Sequence, residues 1–387
     1  MTASGGGFWS MGFRPFFLFA SLNAAFALAL WLFMLSGALV LPSGLDPLAW
    51  HRHEMLFGVI GGVMAGFLLT AVPNWTGRPP LAGRGLIGLF SLWAVTRLCA
   101  ILATGLAAWL SLSAEILFFL SLAAWAAHQI RLAGNRNLPI ALMIAVFGLA
   151  AASDRLLAMR GAQDAADMAY RFGFAIVLML ILMIGGRIIP AFTRNWLVAN
   201  GRVAGMPDSR PTFEMALRIV HAASLLGWVV FPDAAAVQYA FIALGILHLV
   251  RLAGWRGEST LAEPLLFILH VAYLWMPLGL LLLGLSGLGL SIPAAAALHA
   301  LSAGLMGSMT LAVMMRASLG HGGRPLKATP LTNLVFLSVT AGALLRLVAP
   351  LLPMPYIPLL IVSAVLWGGA YLLFALGFLP LFLARRP

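Results

Sequence analysis

Eight histidines stand in or beside long apolar runs: His51, His53, His128, His221, His248, His270, His299 and His321. An ionisable side chain inside a bilayer is costly unless it is paired or ligated, so each is a candidate for function. Neutral imidazole is a common ligand of copper, zinc and iron. His51, Arg52, His53 and Glu54 form one HxHE run at the entry of an apolar stretch, and His299 stands at the entry of another. If those stretches are symmetry mates, three imidazoles and a carboxylate converge at one side and suit a metal. The plainer reading is that His51 and His53 cap a helix at the interface. His221 and His270 lie deeper, His221 ~12 Å along a helix rising 1.5 Å per residue, and could form a second metal site. Interhelical hydrogen bonding is their alternative. His128 and His248 end their apolar runs and read as interfacial anchors. His321, in LGHGGRP, is open to either reading.

Arg52, Arg155, Arg160 and Arg171 gather on the side of His53. Arginine matches a carboxylate with two parallel hydrogen bonds, so Arg52 and Arg171 are candidates to hold the carboxylates of a cofactor such as haem. Their alternative is pairing with Asp154, Asp164 and Asp167. Glu115 and Arg97 fall in adjacent apolar stretches and are expected to pair. No GxxxxGK[ST] run exists to cradle a nucleotide phosphate, nor any GxSxG, HExxH or CxxCH. Any haem is therefore bound non-covalently. The single cysteine, Cys99, permits neither an internal disulfide nor a cysteine-ligated cluster.

These residues need elements to position them, and the composition says which. Hydrophobic residues make up 62% and charged residues 9% of 387, with mean hydropathy +1.01. Soluble domains carry about 25% charged residues, so no soluble surface can be built from this inventory. A span needs about 20 apolar residues. Candidates lie near 15–37, 53–73, 85–106, 108–130, 138–158, 167–190, 213–231, 234–252, 264–286, 294–316, 329–348 and 357–383, punctuated by Pro, Gly and Arg. The expected fold is an all-α polytopic membrane bundle of about twelve helices in one integral domain, with the lipid bilayer as its partner. The longest loop is expected near 191–212.

The net charge of +12 does not point to nucleic acid, because the basic residues are scattered through short loops. They carry a topology signal instead. Of 23 Lys and Arg, sixteen fall at the N-terminus, after even-numbered spans and at the C-terminus. Five (Arg52, Arg155, Arg160, Arg171 and Arg346) fall on the other side, and Arg97 and Arg218 lie within spans. Positive loops stay in the cytoplasm, so both termini are expected there. The N-terminus lacks a basic n-region and a small-residue cleavage site and is expected to be retained.

An ungapped offset of 246 sets span 2 on span 10. His53 falls on His299, Gly58 on Gly304, Gly61 on Gly307, Ala71 on Ala317, and Gly77-Arg78-Pro79 on Gly323-Arg324-Pro325. Span 6 joins more loosely at 117: Pro73 on Pro190, Thr76 on Thr193, His53 on Tyr170. Spans 2, 6 and 10 suggest three four-helix units, near 15–130, 138–252 and 264–383, in a pseudo-threefold array. Such repeats tend to place sites at their interface.

GFRPFF, WHRHEMLFG, GFLLTAVPNWTGRPPL, GGRIIPAFTRNWL, HVAYLWMPLG and HALSAGLMGSMTLAVMMRASLGHGGRPL together resemble the NnrS family over nearly the whole chain. The resemblance implies a twelve-span inner-membrane protein that binds haem and copper. It also implies a role in bacterial nitric oxide metabolism and tolerance of nitrosative stress, often beside denitrification. A weaker architectural likeness, to haem–copper oxidases, extends to histidines on spans 2 and 10. This chain lacks their adjacent His-His pair and the His-Pro-Glu of span 6, where Tyr170 and Arg187 sit.

The sequence is therefore read as a haem- and copper-binding membrane protein handling nitric oxide, with His53 and His299 foremost as ligands, then His51, His270 and His221. The reaction and any protein partner are left open. The rival reading is a membrane transporter of metal, haem or a small anion.

Overall fold

The computed structural model describes residues 7–42, 45–102, 104–202, 205–208 and 210–384, all helix, turn or irregular chain with no strand among them. Arg385 and Arg386, counted in the topology signal, lie outside the described residues. Among the described residues, twelve helices are long and apolar enough to cross a membrane: α1 Phe13–Leu35, α2 Pro47–Thr76, α3 Gly83–Ile101, α4 Gly105–Leu132, α5 Leu138–Met159, α6 Gln163–Ala199, α7 Pro211–Val230, α8 Ala235–Ala253, α9 Pro264–Gly287, α10 Ala294–His321, α11 Pro330–Leu351 and α12 Tyr356–Leu383.

Several starts are written in the sequence. Asp46 accepts from the backbone N–H groups of Leu48 and Ala49, with Pro47 at the first helical position. Glu263 does the same for Leu265 ahead of Pro264. Thr329 and Thr332 form a reciprocal cap around Pro330. In each case a side-chain oxygen satisfies a donor that the helix leaves open, and proline gives up an N–H that had no partner.

The largest departure from expectation is α6. The apolar run stops near Pro190, but the helix continues to Ala199. Neighbouring groups in a membrane helix can satisfy the carbonyl that an internal proline frees. Past Pro190 the helix still buries Thr193 and Leu197, so packing replaces hydropathy as the reason to stay helical. The loop expected over 191–212 is correspondingly shorter.

By internal contacts the chain divides into two units. The first comprises Met1–Ile176, Ala317–Arg324 and Tyr371–Pro387. Within it α2 is the interior helix, with 83% of its apolar window buried against 33% for α1 and α3. Glycines make this closeness feasible. A methyl at Gly66 would stand 2.6 Å from the Phe17 ring, and one at Gly61 would stand 2.8 Å from Phe119. Small residues of this kind let membrane helices approach. The second unit comprises Val177–Arg316 and Pro325–Ala370. There α9 and α10 are the most buried, at 67% each.

A local irregularity repeats at the offset of 246. Glu54–Ile60 in α2 and Ala300–Met306 in α10 are both π-helical. Each begins immediately after a histidine, His53 or His299. An indole N–H meets each wide turn: Trp93 donates to the Gly58 carbonyl and Trp367 to the Ala303 carbonyl, both at 3.0 Å. Pi-helical turns are uncommon and often mark functional segments.

Candidate functional site

The first unit holds a buried network of charges. It is built from the start of α2, the ends of α3 and α5, the first half of α4 and the start of α6. Glu115 is its centre. Its two oxygens take hydrogen bonds from Arg97 (2.8 Å) and Arg155 (3.1 Å), and Nε2 of His53 lies 3.2 Å from both. Arg97 also donates to Glu54 (2.9 Å), which accepts from Asn23 (2.8 Å). Nδ1 of His53 lies 2.7 Å from Asp154. Arg52 pairs with Asp154 at 3.4 Å and with Asp167, and its guanidinium lies 5.0 Å over the Tyr170 ring.

Both ring nitrogens of His53 thus face carboxylates. A carboxylate only accepts, so this is the arrangement of a ring that donates twice. The charge count agrees: Glu54, Glu115, Asp154 and Asp167 face Arg52, Arg97 and Arg155, and His53 supplies the fourth positive charge. A metal ligand needs a free lone pair, which His53 does not offer here. Arg52 is likewise committed to two aspartates. Arg171 sits half-buried in α6.

The second unit holds a chain of a different kind. Arg251 grips Glu214 through Nε (2.8 Å) and Nη2 (2.5 Å), and its Nη1 meets the Tyr273 hydroxyl at 2.5 Å. That hydroxyl lies 3.1 Å from Nδ1 of His248, whose Nε2 lies 3.0 Å from Nδ1 of His221. The direction of donation follows from Arg251, which can only donate. Tyr273 accepts from it and passes its own proton to Nδ1 of His248. Nε2 of His248 then carries the proton facing His221. His221 is left with its proton on Nε2, a fully buried donor without a hydrogen-bond partner. Glu214 and Arg251 also line a shallow cleft with Asp208, Arg210, Phe213 and Trp255.

His248 is therefore not an interfacial anchor. It is fully buried, because α8 runs five residues beyond it to Ala253. Nor was Tyr273 singled out by the sequence. The available signal was spacing: His248 and Arg251, like His270 and Tyr273, stand three residues apart and share a helix face.

Two histidines present lone pairs. The Thr193 hydroxyl donates to the Ile189 carbonyl (3.0 Å), so its oxygen accepts from Nε2–H of His270 (2.9 Å). That leaves the lone pair of His270 on Nδ1, buried and without a partner. The turn over Nδ1 is closely fitted. A methyl at Gly257 would stand 2.9 Å from it, and the preceding Arg256 is held at φ 60°. Nδ1–H of His299 donates to the Ala295 carbonyl one turn back at 2.6 Å, leaving its lone pair on Nε2. A backbone carbonyl on one ring nitrogen is the usual way to orient the other toward a metal.

The remaining histidines are placed simply. His51 stacks on Trp31, with ring centres 4.5 Å apart. His128 is exposed. His321 sits against Phe13 with its Nε2 3.3 Å from Asn74. Among the described residues, no three His, Cys, Asp or Glu side chains stand grouped as a metal cage.

A twelve-span helical bundle with buried charge pairs in one unit and oriented imidazoles in the other defines a multi-pass membrane protein built to hold polar groups at depth. The model of the NnrS family, described as NnrS protein, matches residues 7–386. The chain belongs to the NnrS family. Comparison with curated proteins and with solved structures returned no match.

Proposed function

We propose that this chain is a haem- and copper-binding protein of the bacterial inner membrane that handles nitric oxide, with histidines ligating the metals. Family membership supports the link to nitric oxide. The observation that carries metal binding is Nδ1 of His270, a lone pair held in a buried site with no hydrogen-bond partner. An acceptor buried and unsatisfied is destabilising, and a metal removes that penalty.

The donor set fits both groups. Imidazole suits copper and haem iron alike. His270 offers Nδ1 and His299 offers Nε2, each with its other nitrogen already fixed. His51 keeps a place among the candidate ligands beside Trp31. His221 and His53, as arranged, present protons instead; at His221 the Nε2–H is a donor for an acceptor brought into the membrane interior. When bound, haem iron and copper supply the affinity for nitric oxide. The residues orient those groups and exclude water from them.

Metal analysis and an absorption spectrum of the purified protein test this directly. A Soret band, copper, and a spectral change on adding nitric oxide are expected. A colourless, metal-free protein transfers the case to the transporter reading. The proposed orientation, both termini cytoplasmic, has its own test. Reporter fusions after Arg78, Arg202 and Arg324 should all report cytoplasm, and one periplasmic signal breaks it.

A further inference from the structure

We propose that His299 and Arg346 are the two poles of the haem site, His299 taking the iron and Arg346 a propionate. The assignment rests on the haem-binding reading above and deepens it by naming the residues.

His299 needs no rearrangement to act as a ligand. Its Nδ1–H is held on the Ala295 carbonyl at 2.6 Å, so in the neutral ring the lone pair sits on Nε2, directed away from its own helix. The ring is half-buried, which leaves an approach for a planar ligand. The π-helical turn begins at the next residue, Ala300, and Trp367 clamps its Ala303 carbonyl. The backbone that aims the ring is therefore held from a neighbouring helix.

Arg346 supplies the second observation. It lies near the end of α11, a helix that packs on α10 beside the start where His299 stands. Its guanidinium lies 5.9 Å over the ring of Tyr356 at the start of α12. Among the described residues it forms no ion pair. Arg52, Arg97, Arg155 and Arg251 each have a carboxylate. A cation in a span without a counter-charge is expensive, and a bound carboxylate offsets that. A lone-pair nitrogen and a guanidinium that lacks a carboxylate partner, at the same ends of two packed helices, fit a ligand that carries a metal and a carboxylate together. A carboxylate alone would leave Nε2 unused, and a bare metal would be repelled by Arg346.

The test is titration of haemin, and separately of its dimethyl ester, into the full-length protein in detergent, read by absorption. The wild type should bind haemin and prefer it to the ester by about tenfold, the scale of one charge-assisted hydrogen bond. His299→Gly should weaken haemin binding at least about tenfold, and added imidazole should restore the band. Arg346→Leu should abolish the preference over the ester, while Arg346→Lys keeps part of it. The ester comparison needs no variant, so it stands even if a substitution impairs folding. Equal binding of haemin and ester by the wild type removes Arg346 from the site. Wild-type affinity and spectrum in His299→Gly overturn the iron ligand. A wild type that binds no haemin overturns both this assignment and the haem reading. Haemin binding that neither variant alters overturns this assignment alone.

Discussion

The two units bury polar groups on opposite terms. In the first, every carboxylate of the network faces a guanidinium or the His53 ring, and the charges close on one another. In the second, the Glu214–Arg251 ion pair polarises a run of neutral groups that ends on an unpartnered nitrogen of His221. Elsewhere in the same unit, His270 and His299 show lone pairs instead of protons. A closed network has no valence left for a ligand and serves to fix helices. An open one has spare hydrogen-bonding capacity and is where a ligand belongs. The first unit is therefore read as scaffold at this point and the second as the binding region, although the first carries the more conspicuous sequence, WHRHE.

Glu115 offers the hardest test of that contrast. Glu115→Ala strips a buried counter-charge from Arg97, Arg155 and His53 at once. Breaking a buried pair from one side costs about 3–5 kcal/mol, and the protein should lose most of its folded yield. Glu115→Gln, which keeps the shape and some acceptors, should lose less. Thermal unfolding in detergent, with metal content per folded protein, reads both effects. If the network is scaffold, the surviving folded fraction keeps its metal. Loss of metal from a well-folded Glu115→Gln protein would move the site into the first unit.

The next effect is smaller and confined to the second unit. Thr193→Val removes the oxygen that holds Nε2–H of His270 and thereby fixes the lone pair on Nδ1. Groups that orient a ligand typically contribute about 10–100-fold in metal affinity, so copper affinity should fall by that order while Thr193→Ser retains most of it. Competition against a copper chelator gives the affinity. An unchanged value in Thr193→Val means that His270 does not ligate through Nδ1.

Tyr273→Phe comes third. It removes one acceptor from Arg251 and one donor from His248, an effect of about 1–3 kcal/mol for a buried group left unsatisfied. The fold should survive, because Arg251 keeps Glu214. Nitrogen-15 spectra of the histidines should show the protonated nitrogen of His248 no longer fixed. A spectrum identical to wild type would show that Tyr273 does not set the direction of the chain.

How much of this the sequence displayed depends on what encodes it. Span number and most boundaries were legible, because hydropathy and Pro/Gly punctuation report directly on membrane length. The Arg97–Glu115 pair and the aspartate partners of Arg52 were legible as well, since few charges exist and each needs a partner. The His221–His248–Tyr273 chain was not. Partner choice between helices depends on their rotation, and α9 is too uniformly apolar for periodicity to show which way Tyr273 points. Tautomers were invisible for the same reason: they follow from Thr193, Ala295 and Arg251, neighbours that only the folded chain supplies. The continuation of α6 past Pro190 depended on burial of Thr193 and Leu197, which hydropathy does not see.

The smallest effect discriminates most finely between the units. Trp93 and Trp367 each donate one indole hydrogen bond to a wide turn, at equivalent distances, behind His53 and His299 respectively. Phenylalanine at either position keeps much of the ring and loses the donor, so each should cost about 0.5–1.5 kcal/mol, the net worth of a hydrogen bond. By stability alone the two variants should be alike. Their spectra should differ. Trp93→Phe loosens a turn beside a histidine whose nitrogens are both held by carboxylates, and bound haem should not register it. Trp367→Phe loosens the turn that aims a histidine whose lone pair is free, so the haem band should shift or broaden. Equal spectral responses in the two variants would erase the distinction between scaffold and site, and a response confined to Trp93→Phe would reverse it.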